Sequence, residues 1–143
     1  MNKMTLDLVP DGYPFCVVTD CPVAEHCLRQ KARQMLGKTD RIVKIVNPRL
    51  TQPSEQCEFF RSDEPQVFAR GFAAMKEEML PRQYKVFMKK LQNHFGRTGY
   101  FERRRGDRLC SPADIVVIEN VLAELGLSHL DFDTFERHYN WEG

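Results

Sequence analysis

Three cysteines spaced Cys16-x4-Cys21-x5-Cys27, with a fourth at Cys57, constrain this chain more than any other feature. A thiolate is a soft ligand suited to zinc or to an iron–sulfur cluster, and either centre needs three or four sulfurs brought together from loops and helix ends. If Cys16, Cys21, Cys27 and Cys57 are metal ligands, residues 16–57 must fold back around one point. There is no tight C-x2-C knuckle of the kind that turns two sulfurs onto one small ion, and the looser spacings suit a larger cluster better. The same residues admit two other readings: ordinary core cysteines, because free cysteine is among the most buried residue types, and redox-active thiols. Cys110, between Leu109 and Ser111, reads as packing rather than as a ligand, and His26 as an exposed helix histidine.

At 143 residues, with 42% apolar side chains and ten Phe, the chain has enough material for one packed domain. The expected organisation is a single domain over residues 1–143, with a cysteine-containing N-terminal part at 1–60 and a helical core at 61–143 that includes a basic strand or turn at 97–108. No stretch of 18 apolar residues is present to span a membrane, and the N-terminal residues lack the apolar run and small-residue cleavage site of a signal peptide. The expected compartment is the cytoplasm, where five cysteines, an odd number, read as ligands plus a spare rather than as disulfides.

Residues 1–20 are broken by Pro10, Gly12 and Pro14, with Phe15-Cys16-Val17-Val18 as a short strand. The spacing of Ala24, Leu28, Ala32 and Met35 behind Asp20 and Pro22 predicts a helix that contains Cys27 and stops at Gly37. Ile42-Val43-Lys44-Ile45-Val46 is β-branched and reads as a strand, and residues 48–58 as a polar loop delivering Cys57. Phe68, Phe72, Met75 and Met79 predict a second helix from Pro65, antiparallel to a third that carries Tyr84, Phe87, Met88, Leu91 and Phe95 and ends at Gly96. Tyr100-Phe101-Glu102-Arg103-Arg104-Arg105 reads as a strand turning at Gly106-Asp107. Ser111-Pro112-Ala113-Asp114 starts a deeply buried helix over about 112–125, and a last short helix presents Phe132, Phe135 and Tyr139. The predicted class is α+β and mostly helical, with about five helices and two to four short strands.

The net charge of +1 conceals a strong polarity: residues 81–108 hold nine basic and two acidic side chains, and residues 109–143 hold one and seven. Arg97, Arg103, Arg104, Arg105 and Arg108, interleaved with Tyr100 and Phe101, are the candidate nucleic-acid contacts, since guanidinium groups neutralise phosphates while aromatic rings stack on bases. A solvated face, or pairing with the acidic C-terminal third, is the alternative. Gly96-Arg97-Thr98-Gly99 also matches the GxxG loop of KH domains, although a strand is expected to follow it. Catalytic signatures are missing: there is no P-loop, no G-x-G-x-x-G, no H-E-x-x-H and no G-x-S-x-G.

Cys21-Pro22-Val23-Ala24-Glu25-His26-Cys27-Leu28, followed by Ala32, resembles the C-P-V-x3-C-L stretch of WhiB-like iron–sulfur regulators, and this implies local convergence on a loop that binds a [4Fe–4S] cluster. Those regulators have C-x2-C where this chain has C-x4-C, an upstream fourth cysteine, and a Gly-Val-Trp-Gly-Gly turn that is absent here. Over its length the chain is similar to an uncharacterised group of small four-cysteine proteins from anaerobic gut bacteria, on Cys-Pro followed by Cys-Leu-Arg, a later Asn-Pro, Cys-x-Phe-Phe-Arg and Arg-Arg-Gly-x-Arg. Together these features point to a non-enzymatic cytoplasmic protein that binds an iron–sulfur cluster or zinc and regulates through a nucleic-acid or protein partner. The alternative is a metal-free interaction or assembly module with core cysteines.

Overall fold

The structure is a computed structural model that describes residues 4–37 and 40–142. The chain divides into two compact units, one formed by Met1–Pro65 with Tyr139–Gly143 and the other by Gln66–His138. The class is α+β, but the expectation of about five helices is corrected: among the described residues there are three α-helices, three short 3-10 helices and one two-stranded antiparallel sheet. No helix among the described residues is long and apolar enough to cross a membrane.

In the first unit the only α-helix among the described residues is α1, Leu28–Gln34. The helix predicted to contain Cys27 breaks just before it. Ala24–His26 forms a 3-10 turn, and Cys27 is extended, with φ −103° and ψ 122°. Tertiary backbone pairing overrides helical spacing here: Leu28 N–H donates to the Arg61 carbonyl at 2.7 Å and Asp63 N–H to the His26 carbonyl at 2.9 Å, an antiparallel bridge between Cys27 and Ser62. The two strands expected at 15–18 and 42–46 reduce to one parallel bridge between Phe15 and Ile45, in which Phe15 N–H reaches the Lys44 carbonyl and Val46 N–H the Phe15 carbonyl, both at 2.9 Å. The β-branched residues adopt extended backbone but find no ladder, so Val46 is buried while Ile42 is 94% exposed. Tyr13, Phe15, Leu28 and Ala32 complete the buried apolar set around α1.

In the second unit the helix expected from Pro65 is replaced by β1, Gln66–Arg70, and a 3-10 helix, Ala73–Glu78. β1 pairs with β2, Thr134–His138, where a last helix was expected; Phe68 lies opposite Glu136 and Ala69 opposite Phe135. Ala69 is held from its other side as well, exchanging backbone hydrogen bonds of 3.0 and 2.8 Å with Cys110. A helix could not continue through Gly71. Its φ is +77°, and a Cβ there would stand 2.8 Å from the Asp133 carboxylate. Phe68 and Phe72 therefore share helical spacing without sharing a helix.

α2, Pro81–Arg105, does not stop at Gly96. That residue has φ 78° and ψ 164°, a conformation essentially reserved for glycine, and the helix resumes beyond it. The strand expected at 100–105 is thus corrected to helix, because Tyr100 and Arg103, three positions apart, both turn into the core. A Schellman motif closes α2, with Gly106 N–H on the Arg103 carbonyl and Asp107 N–H on that of Glu102. α3, Pro112–Glu124, begins as expected: Asp114 N–H donates to Ser111 Oγ and Ser111 N–H to Asp114 Oδ2. It is buried along one face only, through Ile118, Val121 and Leu122, while Val116 is 55% exposed. The core gathers on Phe72, whose ring meets those of Phe87, Tyr100 and Phe132 at 5.9, 5.8 and 6.2 Å.

Arg103 joins α2 to α3 through a 3.1 Å ion pair with Asp114, the Arg side chain being 9% exposed. Removing one partner of a buried pair leaves an uncompensated charge. Asp114→Ala should therefore lower unfolding free energy by about 3 kcal/mol. Ser111→Ala, which removes only a cap, should lower it by about 1 kcal/mol. Equal losses in urea unfolding would show that capping alone accounts for Asp114.

A second tie crosses the sheet. Arg70 bonds the Glu136 carboxylate, which also meets His138 Nε2 at 2.9 Å. The Arg70 hydrogen bond first, and that of His138 second, hold the Glu136 carboxyl down to about 2 from its ordinary 4.5. A depressed carboxyl stabilises the fold above its unfolded value and loses that effect as pH falls through the folded one, here from about 4.5 to about 2. Glu136→Gln should flatten that part of the acid unfolding curve, modestly, because a third of the side chain is exposed and screened.

Candidate metal centre

Cys16, Cys21, Cys27 and Cys57 all line one small cavity of about 20 Å³ in the first unit, room for about one water molecule. Three separate stretches of chain deliver them. Cys16 follows the bridging residue Phe15, and Cys21 opens the turn in which Ala24 N–H reaches its carbonyl at 3.2 Å. Cys27 stands at the head of α1, and Cys57 closes a turn from Ser54, its N–H on the Ser54 carbonyl at 3.2 Å. Val18, Val23, Pro53 and Phe60 supply apolar walls. All four thiols are free, with Cys16 and Cys27 buried and Cys21 and Cys57 partly exposed. Among the described residues, no three His, Cys, Asp or Glu side chains stand close enough to hold a single metal ion, so the sulfurs border the cavity without closing on one point.

Two amide donors are aimed at these sulfurs: Gln30 Nε2 at Cys16 Sγ, 3.2 Å away, and the Gln52 N–H at Cys57 Sγ, 3.5 Å away. Such donors orient thiolate ligands and tune the centre they hold. Gln30 also donates to the Val18 carbonyl at 2.6 Å, pinning the loop that carries Cys16 to α1. Arg29 does the same for two loops at once. Its Nε donates to the Phe59 carbonyl at 2.8 Å and its Nη1 to the Pro14 carbonyl at 2.9 Å, while its guanidinium lies 4.8 Å from the centre of the Tyr13 ring. Arg29 is 7% exposed, and its contacts are with carbonyls and aromatic rings; among the described residues no carboxylate pairs with it.

Sequence reasoning singled out the four cysteines that line this cavity and did not single out Arg29 or Gln30, which line it too. Leu28, Arg29, Gln30 and Ala32 are all buried, so α1 is covered on several sides, and its two polar side chains reach the cysteine loops from the first turn. His26 is exposed and 3.7 Å from Asp63. Cys110 lies in the core of the second unit, its thiol pushed up to about 12 chiefly by burial and then by Asp114, so it stays neutral.

The basic candidates scatter. Arg103 is buried, bonded to Asp114 and to the Gly99 carbonyl, and lies 4.1 Å from the Phe95 ring centre. Arg104 is half-buried over the rings of Tyr84 and Phe101, and Arg105 pairs with Asp107 at 2.9 Å. Arg97 and Arg108 are exposed. Gly96-Arg97-Thr98-Gly99 lies within α2 with Gly99 buried, so it does not form an exposed loop of the KH kind.

The model of one protein family matches residues 1–141. The chain belongs to a family of unknown function, DUF6078. No curated protein and no solved structure matches it. Membership in this family fits the sequence-based expectation of an uncharacterised group, and it assigns no activity to the cavity.

Trp141 is the sole tryptophan, and it reports on this site. Tyr13 Oη donates to its carbonyl at 2.9 Å, and the two rings meet edge to face at 5.2 Å. Arg29→Met removes the guanidinium that links the Tyr13 ring to the cysteine loops. It should lower stability by about 2 kcal/mol, the range for charged hydrogen bonds, and red-shift Trp141 emission. Arg49→Met, on an exposed turn, should do neither. An unshifted spectrum in the Arg29 variant would show that the stack forms without the guanidinium.

Proposed function

We propose that this is a non-enzymatic cytoplasmic regulator whose first unit holds an iron–sulfur cluster or zinc through Cys16, Cys21, Cys27 and Cys57, and which acts through a nucleic-acid or protein partner. The observation that carries the reading is the delivery of four free cysteines, from three separate stretches of chain, to one apolar cavity. Four of the five cysteines share this one cavity, as the ligands of one centre would. Free thiols also accord with the reducing cytoplasm.

Arg29 supports the same reading. A buried cation is normally paired, because burial removes the water that would solvate it. Four thiolates around a zinc ion or an iron–sulfur cluster leave the centre net negative, and Arg29 lines the same cavity. Gln30 and the Gln52 amide would then serve as donors to ligand sulfurs, with the loops carrying Cys16, Cys21 and Cys57 rearranging around the centre.

Protein purified without oxygen, or reconstituted with ferrous iron and sulfide, should be brown with broad absorbance near roughly 400 nm if it takes a cluster. If it takes zinc, it should be colourless with one equivalent bound. Ser at any one of the four positions should reduce metal content and lower Tm by about 5 °C or more, since binding energy is folding energy here. Cys110→Ser should keep the metal. Metal-free protein from every preparation, or equal metal content in all five variants, would overturn the assignment in favour of core cysteines.

A further inference from the structure

The first 15 residues of α2, before the turn at Gly96, carry one continuous exposed face. Arg82, Lys85, Val86, Lys89 and Asn93 recur at helical spacing and are all exposed, while Phe87 and Leu91 on the opposite side are fully buried. At 1.5 Å per residue this face runs about 16 Å from Arg82 to Asn93. No acidic residue occurs in α2 before Glu102. Of the neighbouring cations, Lys90 is drawn to Glu124 and Arg103 to Asp114, but among the described residues Arg82, Lys85 and Lys89 form no ion pair. Folding thus uses some of the positive charge of residues 81–108 internally and leaves Arg82, Lys85 and Lys89 in a row on the first half of the helix, with Arg97 and Arg108 exposed beyond it.

We propose that this face binds the phosphate backbone of duplex nucleic acid through Arg82, Lys85 and Lys89. The proposal rests on the partner half of the function above and not on its metal half. Three features select the occupant. Protein interfaces are depleted in lysine and anchored by large apolar or aromatic side chains, and the only apolar side chain on this face is Val86. Surface-lying membrane helices present Trp, Phe or Leu opposite their cations, but here the opposite side is the packed core. Single strands are held by exposed rings on which bases stack, whereas Tyr84 and Phe95 are half-buried, Phe87 is buried, and the exposed His94 lies about 120° around the helix from Arg82, off this face. A ring-free, cationic helix face with an amide at Asn93 suits the groove and phosphates of a duplex.

The test uses the full chain, with its metal content measured in parallel so that failure of the metal assignment is recorded separately. A fluorescent mixed-sequence DNA duplex, the matching single strand, and vesicles of phosphatidylserine and phosphatidylcholine are titrated by anisotropy and co-sedimentation at several salt concentrations. Duplex binding should dominate, with a log–log salt slope near −2.7 for about three phosphate contacts. Lys85→Ala with Lys89→Ala should weaken duplex binding more than about tenfold and flatten the slope by about 1.8, with unchanged circular dichroism, while Arg49→Ala should change neither. No duplex binding at low salt, equal affinity of the double variant, tighter binding of the single strand, or binding to vesicles alone would each overturn the proposal.

Discussion

The first unit depends on a short piece of backbone pairing. Where Cys27 meets Ser62, the hydrogen bonds from Leu28 to Arg61 and from Asp63 to His26 hold Cys27 extended, and the α-helix begins only at Leu28. This register lets the head of α1 point Arg29 and Gln30 back at the loops of Pro14, Val18 and Phe59, and it places the Cys27 sulfur on the same cavity as those of Cys16, Cys21 and Cys57. Had one regular helix held both Cys21 and Cys27, they would stand roughly 240° apart around it, on different faces. The pairing is therefore what makes a shared cavity compatible with this spacing.

What could be read in the residues, and what could not, follows the reach of each interaction. The helix at Pro112 was legible because its start is local: Ser111 and Asp114 satisfy one another within a single turn. That Cys16, Cys21, Cys27 and Cys57 belong to one place in the fold was legible because cysteine is scarce and its spacing is a chemical statement; all four line the same cavity. The errors fall where a distant partner decides. Phe68 and Phe72 imitate a helix, but Ala69 is paired on both sides, by Phe135 and Cys110, residues more than forty positions away in sequence. Ile42 to Val46 has strand chemistry, and yet among the described residues its backbone pairing is a single bridge to Phe15. Gly96 has the form of a stop, while the burial of Tyr100 and the Asp114 ion pair carry the helix past it.

The second unit shows how a charge-rich sequence is sorted on folding. Arg103, in the middle of the most basic run, is drawn inward because α3 presents a carboxylate at its own first turn, so the same Asp114 both caps a helix and neutralises a buried cation. Arg104 lies along aromatic rings, and Arg105 is satisfied by the residue two positions on. A count of arginines marks residues 97–108 as the cationic surface, but the arrangement of carboxylates shifts the free charge toward the start of α2. Composition alone cannot carry this distinction, since it turns on which acids face which bases.

The extended segment at 41–46 has a consequence for how concentrated protein behaves. In the bridge to Phe15, the partners are the Lys44 carbonyl and the Val46 N–H, which leaves the N–H and C=O of Ile45 directed to the opposite edge beside the nearly bare Ile42. An open edge with β-branched side chains is a template on which a second chain can add in register, the first step toward aggregation. Arg41 and Lys44 place two like charges within this stretch, and stacking it against its own copy would set those charges side by side. Such repulsion would oppose the addition of a second chain, as charged residues beside an exposed strand do in general.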